Sequence, residues 1–204
     1  MKGMIFSEMM FHAVIEGRKT QTRRICKIQP PDNDDWILAR MMCTTDREQR
    51  KHEGKFHYVV KDGDYSFKKY DDRYFLPRYN VGETVYIKEP FCKPYGMLTS
   101  YKYAGDYLHK SEKWENPRTM AANQARYFIE ITGVRCEMVK NISDEDCLKE
   151  GIFERASYFW SGKQTEKLHK TPQEAYAALF DAINGKGAFE SNPHVFVYSY
   201  KLIK

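Results

Sequence analysis

Between Gly17 and Arg24 the chain reads Gly-Arg-Lys-Thr-Gln-Thr-Arg-Arg, which gathers an amine, two hydroxyls and three guanidinium groups into one short run. A threonine hydroxyl is a weak nucleophile and needs a base beside it. A lysine amine can be that base only when desolvation or neighbouring cations hold its pKa down. Lys19 and Thr22 are therefore the candidate base and nucleophile, and Arg18, Arg23 and Arg24 are the cations that would depress the amine. The run lacks an acid to hold the lysine. Glu150, which follows the acidic stretch Asp144-Glu145-Asp146 and precedes Gly151, can supply one. Glu89 ends an alternating segment on the same face as Val85 and Ile87, so its carboxylate can point inward as a further ligand-binding group. The same residues also admit a plainer account: a solvated cationic turn, with Glu150 a surface carboxylate and Glu89 paired to a surface cation.

These groups meet only if the surrounding elements bring them together. Ser7 is a plausible N-cap, Met10, Phe11, Val14 and Ile15 share one helical face, and Gly17 can end the helix in the left-handed conformation. The basic run is thus expected to be an exit loop. Pro30-Pro31 breaks regular structure after it. Phe56 to Val60 and Tyr65 to Phe67 flank Lys61-Asp62-Gly63-Asp64, a hairpin signal. Thr84 to Glu89 and Arg126 to Thr132 alternate with period two and predict half-buried strands, and Tyr101 to Ala104 predicts another. Ser143 caps a short helix that stops at Gly151. Thr171-Pro172-Gln173-Glu174 is a capping box with proline at the first helical position. It opens a helix that turns Ala175, Tyr176, Leu179, Phe180, Ala182 and Ile183 inward and ends at Asn184-Gly185. Val195 to Ile203 predicts a long closing strand, aromatic on one face.

A chain of 204 residues with 42% hydrophobic and 15% aromatic content is long and apolar enough for one globular core. The net charge of +5 permits an anionic partner, and its concentration in Arg18, Lys19, Arg23, Arg24 and Lys27 makes that partner more specific. The five cysteines, Cys43 among them, form no C-x-x-C pair, and His52 and His57 have no matching second pair. Neither a disulfide framework nor a metal site is expected, and no cofactor motif is present. Ser7, Glu8 and His12 interrupt the N-terminal apolar stretch, so no signal peptide or membrane span is expected and the reading is of a cytoplasmic protein.

A short helix, Gly-x-Lys-x-x-Thr with a following arginine, a Gly-Glu turn into a strand, an Ile-Ser-x-Glu-x-x-x-x-Glu-Gly helix, a capped helix and an aromatic last strand together resemble the ASCH domain. This is a β-barrel family related to the PUA RNA-binding domains, and the likeness is to the longer ASCH-like proteins of bacteria, phages and prophages. It covers residues 1–29, 79–89, 126–152 and 171–204. The resemblance implies an α+β fold: one domain over 1–204 with a barrel of about five to seven mixed strands flanked by helices, and a β-ribbon inserted at about 32–78. Small enzymes of the family hydrolyse the acetyl amide of N4-acetylcytidine, and their catalytic threonine, lysine and glutamate correspond to Thr22, Lys19 and Glu150. By that likeness Thr22 would attack the acetyl carbonyl and Lys19 would carry the proton. Glu150 would hold the ammonium and Arg24 would bind the oxyanion or the nucleoside; beyond the likeness, Arg18, Arg23 and Glu89 are expected to bind substrate beside them. Other members are inferred only to bind RNA, and a fold alone does not fix an activity. The alternative is therefore a non-catalytic PUA-like RNA-binding module of phage or prophage origin, with RNA rather than a modified nucleoside as its partner.

Overall fold

The two segments of strict alternation, at Thr84 and after Arg126, become strands of one sheet. A computed structural model describes residues 1–29, 36–40, 55–61, 67–69, 76–93, 99–108, 112–155, 157–160 and 167–204. In chain order its elements are β1 (Lys2–Ile5), α1 (Glu8–Ile15), β2 (Gln21–Ile25), β3 (Trp36–Arg40), β4 (Phe56–Lys61), β5 (Phe67–Lys69), β6 (Thr84–Lys88), β7 (Phe91–Cys92), β8 (Ser100–Tyr101), β9 (Phe128–Met138), α2 (Asp144–Lys149), β10 (Phe153–Arg155), β11 (Tyr158–Trp160), α3 (Pro172–Asn184) and β12 (His194–Leu202). The fold is α+β.

Five of the strands form a mixed sheet in the order β1-β6-β9-β12-β2, parallel only where β1 meets β6. Between β9 and β2 lies β12, which reads Val-Phe-Val-Tyr over Val195–Tyr198 and is buried on both faces, as a strand with neighbours on either side and helices above must be. Ile129 and Ile131 of β9 and Val195 and Val197 of β12 are completely buried. The apolar face of α1 (Met10, Phe11, Val14) and that of α3 (Ala175, Tyr176, Leu179, Phe180) join the same core. Caps set the helix boundaries: the hydroxyl of Ser143 accepts from the N–H of Asp146 at 3.2 Å, and that of Thr171 from the N–H of Glu174 at 3.1 Å. Gly17, at φ +74°, ends α1 where an L side chain would be strained.

Several expectations need correction. Thr22, Arg23 and Arg24 do not lie in an exit loop. They form β2, because pairing with β12 in the register Tyr198↔Thr22, Val197↔Arg23 and Phe196↔Arg24 outweighs the local charge pattern. Of the strand expected at Tyr101 to Ala104 only Tyr101 is extended, as the second residue of β8; Lys102–Ala104 coils into a 3-10 turn that ends at Gly105. On α3 Ala182 and Ile183 are exposed, not inward. Among the described residues no strand pairing joins β1 to β2, so backbone hydrogen bonds do not close the sheet into a ring. Within 32–78, β3, β4 and β5 form a three-stranded antiparallel sheet, which attaches to the core through Phe56, 5.2 Å from the ring of Phe196. Pro30-Pro31, Cys43, His52 and the turn and strand start at 62–66 lie outside the described residues.

Candidate active site

Lys19 follows the left-handed turn of Gly17, and its position is fixed by backbone bonds on both sides. The Lys19 N–H donates to Ala13 O of α1, the Thr20 N–H to Lys149 O of α2, and the Tyr200 N–H of β12 to Thr20 O, each at 2.9 Å. The short link between α1 and β2 is thereby sewn to three elements. α2 ends one residue before Glu150, and Gly151 takes φ +96°, so the chain turns away directly after the carboxylate. The outcome is a buried ion pair across 131 positions: Lys19 Nζ donates to Glu150 Oε2 at 2.7 Å and to Glu150 O at 2.7 Å. Both residues are only 3% exposed.

Burial holds the Lys19 amine below the ordinary lysine pKa; the charge and hydrogen bond of Glu150 oppose this, while Arg24 and Arg23 add to it. Lys19 also lies 5.9 Å from the Phe6 ring centroid. Lys19, Thr22, Arg23, Arg24 and Glu150 line one cavity of about 500 Å³, closed on another side by Tyr176, Leu179 and Phe180 of α3. Among the described residues no hydrogen bond joins Thr22 to Lys19 or Glu150; the three groups share the cavity wall. Ser7, the residue before α1, lines the same cavity, and its hydroxyl is buried without a partner.

Alternation along β2 separates the arginines. Arg23, expected to contact substrate, is instead consumed internally: its guanidinium is fully buried and donates to Glu150 Oε1 at 3.1 Å, Asp146 Oδ2 at 2.7 Å and Glu137 Oε1 at 2.7 Å. Burial alone would lower its pKa, but these carboxylates, Glu150 foremost, raise it. Arg135 caps the cluster from the exposed side, donating to Glu137 at 2.9 Å and to Asp146. Arg24 faces the other way and donates from Nη2 to Ile5 O of β1 at 2.8 Å, a side-chain link between the two edge strands of the sheet.

Arg18 and Glu89 are not brought to this cavity. Arg18 is exposed, hydrogen-bonds Glu16 at 2.8 Å and rests 5.4 Å from the Phe153 ring centroid. Glu89 does point inward, as its strand face requires, but accepts two bonds from Arg126 at 2.9 and 2.7 Å. Glu89 is completely buried and Arg126 is clamped between Tyr101 and Tyr127, which makes the pair part of the frame. Arg126→Ala leaves that carboxylate uncompensated and should lower the unfolding free energy by about 3 kcal/mol, read as a shifted urea midpoint at constant slope.

Asp146, Glu137, Tyr176 and Ser7 belong to the site without having been singled out by the sequence. Asp146 carried one signal, its spacing of four from Glu150 on a helix, which puts both on one face. Among the described residues no cluster of three or more His, Cys, Asp or Glu side chains could hold a metal ion, and no helix is long and apolar enough to cross a membrane. Set against family models, curated proteins and solved structures, the chain matches none of them, so the functional conclusion rests on the residues and their geometry.

Proposed function

We propose that the protein is an ASCH-like amidohydrolase that removes the acetyl group from N4-acetylcytidine or a closely related acylated pyrimidine. The observation that carries this is the buried Lys19–Glu150 pair opening onto the same cavity as Thr22 and Arg24. A lysine with a lowered pKa, held by a carboxylate beside a hydroxyl, is the arrangement that activates a weak oxygen nucleophile. The cavity falls within the size range of small-molecule sites, with an apolar wall from α1 and α3 facing the polar groups of Lys19, Thr22, Arg24 and Glu150. The partnerless hydroxyl of Ser7 supports a polar ligand there, since leaving a buried hydroxyl unbonded costs about 1–3 kcal/mol. The Arg24 bridge from β2 to β1 supports the barrel of the resemblance, with side chains completing what strand pairing does not.

In this reaction Thr22 Oγ1 attacks the acetyl carbonyl carbon and gives its proton to neutral Lys19. Arg24 stabilises the negative oxygen of the tetrahedral intermediate. The C–N bond then breaks as Lys19 returns the proton to the exocyclic amine, releasing cytidine. Water attacks the acetyl-threonine ester with Lys19 again as base, acetate leaves, and the hydroxyl of Thr22 is restored. Glu150 keeps the amine aimed throughout, and Arg23 keeps Glu150 in place. Incubation of the pure protein with N4-acetylcytidine should give equimolar cytidine and acetate, and Thr22→Val, which preserves shape, should abolish both. Turnover unchanged by Thr22→Val, or none by the native chain, would remove this assignment.

A further inference from the structure

A second cavity of about 690 Å³ lies on the other side of Arg24. It shares Ile5, Arg24 and Ile25 with the first, so the two are neighbours across one guanidinium. Its wall carries three cations, Arg24, Lys27 and Arg78, and among the described residues no carboxylate lines it.

Several described cations elsewhere on the protein are matched. Lys2 pairs with Glu83, Arg126 with Glu89, Lys140 with Glu190 and Lys201 with Glu130. Around this cavity no described carboxylate forms an ion pair with any of the three. Arg24 spends one of its five N–H groups on Ile5 O. Arg78 lies 5.6 Å from the ring centroid of Tyr79, and that ring is fixed because its hydroxyl donates to Gly3 O at 2.9 Å. The remaining wall is apolar, with Leu76 and Ile25 exposed at 57% and 38%. Unmatched cations repel one another until an anion arrives, and apolar surface beside them suits a ligand that is both anionic and partly hydrophobic.

We propose that this second cavity seats a phosphate joined to the ribose of the ligand, so that the acylated pyrimidine is taken as a nucleotide and not as a free nucleoside. The proposal rests on the base lying in the first cavity, as argued above. Arg24 then has two tasks, facing the reacting carbonyl on one side and the sugar-phosphate on the other, while Arg78 and Lys27 neutralise the phosphate. The phosphate can belong to a mononucleotide or to a position within a single strand.

The test compares three acetylated substrates: N4-acetylcytidine, its 5′-monophosphate, and a short single-stranded RNA with one N4-acetylcytidine. At least one phosphorylated form should exceed the nucleoside about tenfold in kcat/KM, as a charged contact worth about 1.4 kcal/mol implies. Turnover of the monophosphate assigns a mononucleotide; preference for the RNA alone assigns a polymer. The double variant Lys27→Gln, Arg78→Gln should cut that preference about tenfold and flatten the salt dependence of RNA binding by about 1.4 in log–log slope. Lys140→Gln, which removes one cation from an ion pair lining neither cavity, should leave the preference intact. Equal handling of all three substrates, or a preference that survives the double variant, overturns the phosphate seat and leaves the acyl-transfer reading standing. Binding of phosphorylated ligands that depends on Lys27 and Arg78 without any turnover supports the seat and removes the acyl-transfer reading.

Discussion

Lys19→Met should lower kcat on N4-acetylcytidine by about 10²- to 10⁴-fold, the range typical for losing a general acid–base group. Because the amine acts on the proton in flight and not on bound substrate, kcat and kcat/KM should fall together, with KM little changed. The chain should still fold: Glu150 keeps its bond from Arg23 at 3.1 Å, and the backbone bonds of residues 19 and 20 do not involve the side chain. The pH profile gives a second readout. Burial lowers the Lys19 pKa in the folded protein, so the neutral, competent amine accumulates with rising pH and kcat/KM should level off below 10.5, the ordinary lysine value. The linkage has a definite sign. Between the lowered folded value and 10.5 the unfolded chain binds more protons than the native one, so the contribution of this group to stability rises with pH over that window. In Lys19→Met both the rise in activity and this part of the rise in stability should vanish. Activity persisting at native levels in the variant would exclude an amine base.

Arg23→Ala should be the most damaging single change to the fold. It strips one cation from three carboxylates at once, Glu137, Asp146 and Glu150, of which Glu150 is buried. Breaking a buried pair costs about 3–5 kcal/mol because a charge is left behind, and total stabilities are about 5–15 kcal/mol, so the variant should lie near the edge of folding. Arg135 still reaches Glu137 and Asp146 from the surface but makes no bond to Glu150. Arg23→Lys should recover part of the loss, since it restores the charge without a fork that spans three acceptors. Acid should weaken the native chain through the same cluster. Although burial alone would raise the pKa of Asp146, hydrogen bonds from Arg23 and Gln21 hold it below the usual carboxylate value, so its stabilising contribution disappears as pH falls through that lowered value. Urea titrations of the native and both variant chains check the ranking. An Arg23→Ala protein as stable as the native chain would show that the cluster is offset elsewhere.

Residues with local grammar were legible in the sequence. Ser143, Thr171 and Gly17 mark helix ends by their own chemistry, and the period-two runs after Thr84 and Arg126 name their buried faces without help from the fold. Lys19, Thr22 and Glu150 could be nominated because their types suit one reaction. The unread parts are those decided by distant neighbours. Nothing local distinguishes Arg23 from Arg24, two adjacent arginines that alternation sends to opposite sides, one into a carboxylate nest and the other between two cavities. Likewise Glu89 reads correctly as inward, yet its partner Arg126 lies 37 positions away, and only the pairing of β6 with β9 brings them together. The run at Thr22 reads as a loop until a strand at the far end of the chain pairs with it.

That last pairing governs timing as well as architecture. Among the described residues β2 pairs its backbone with β12 alone, so the strand that bears Thr22 and Arg24 has no ladder to join until His194–Leu202 has left the ribosome. Order in the β2 wall of the cavity comes with β12, so a chain interrupted before His194 should lack that wall.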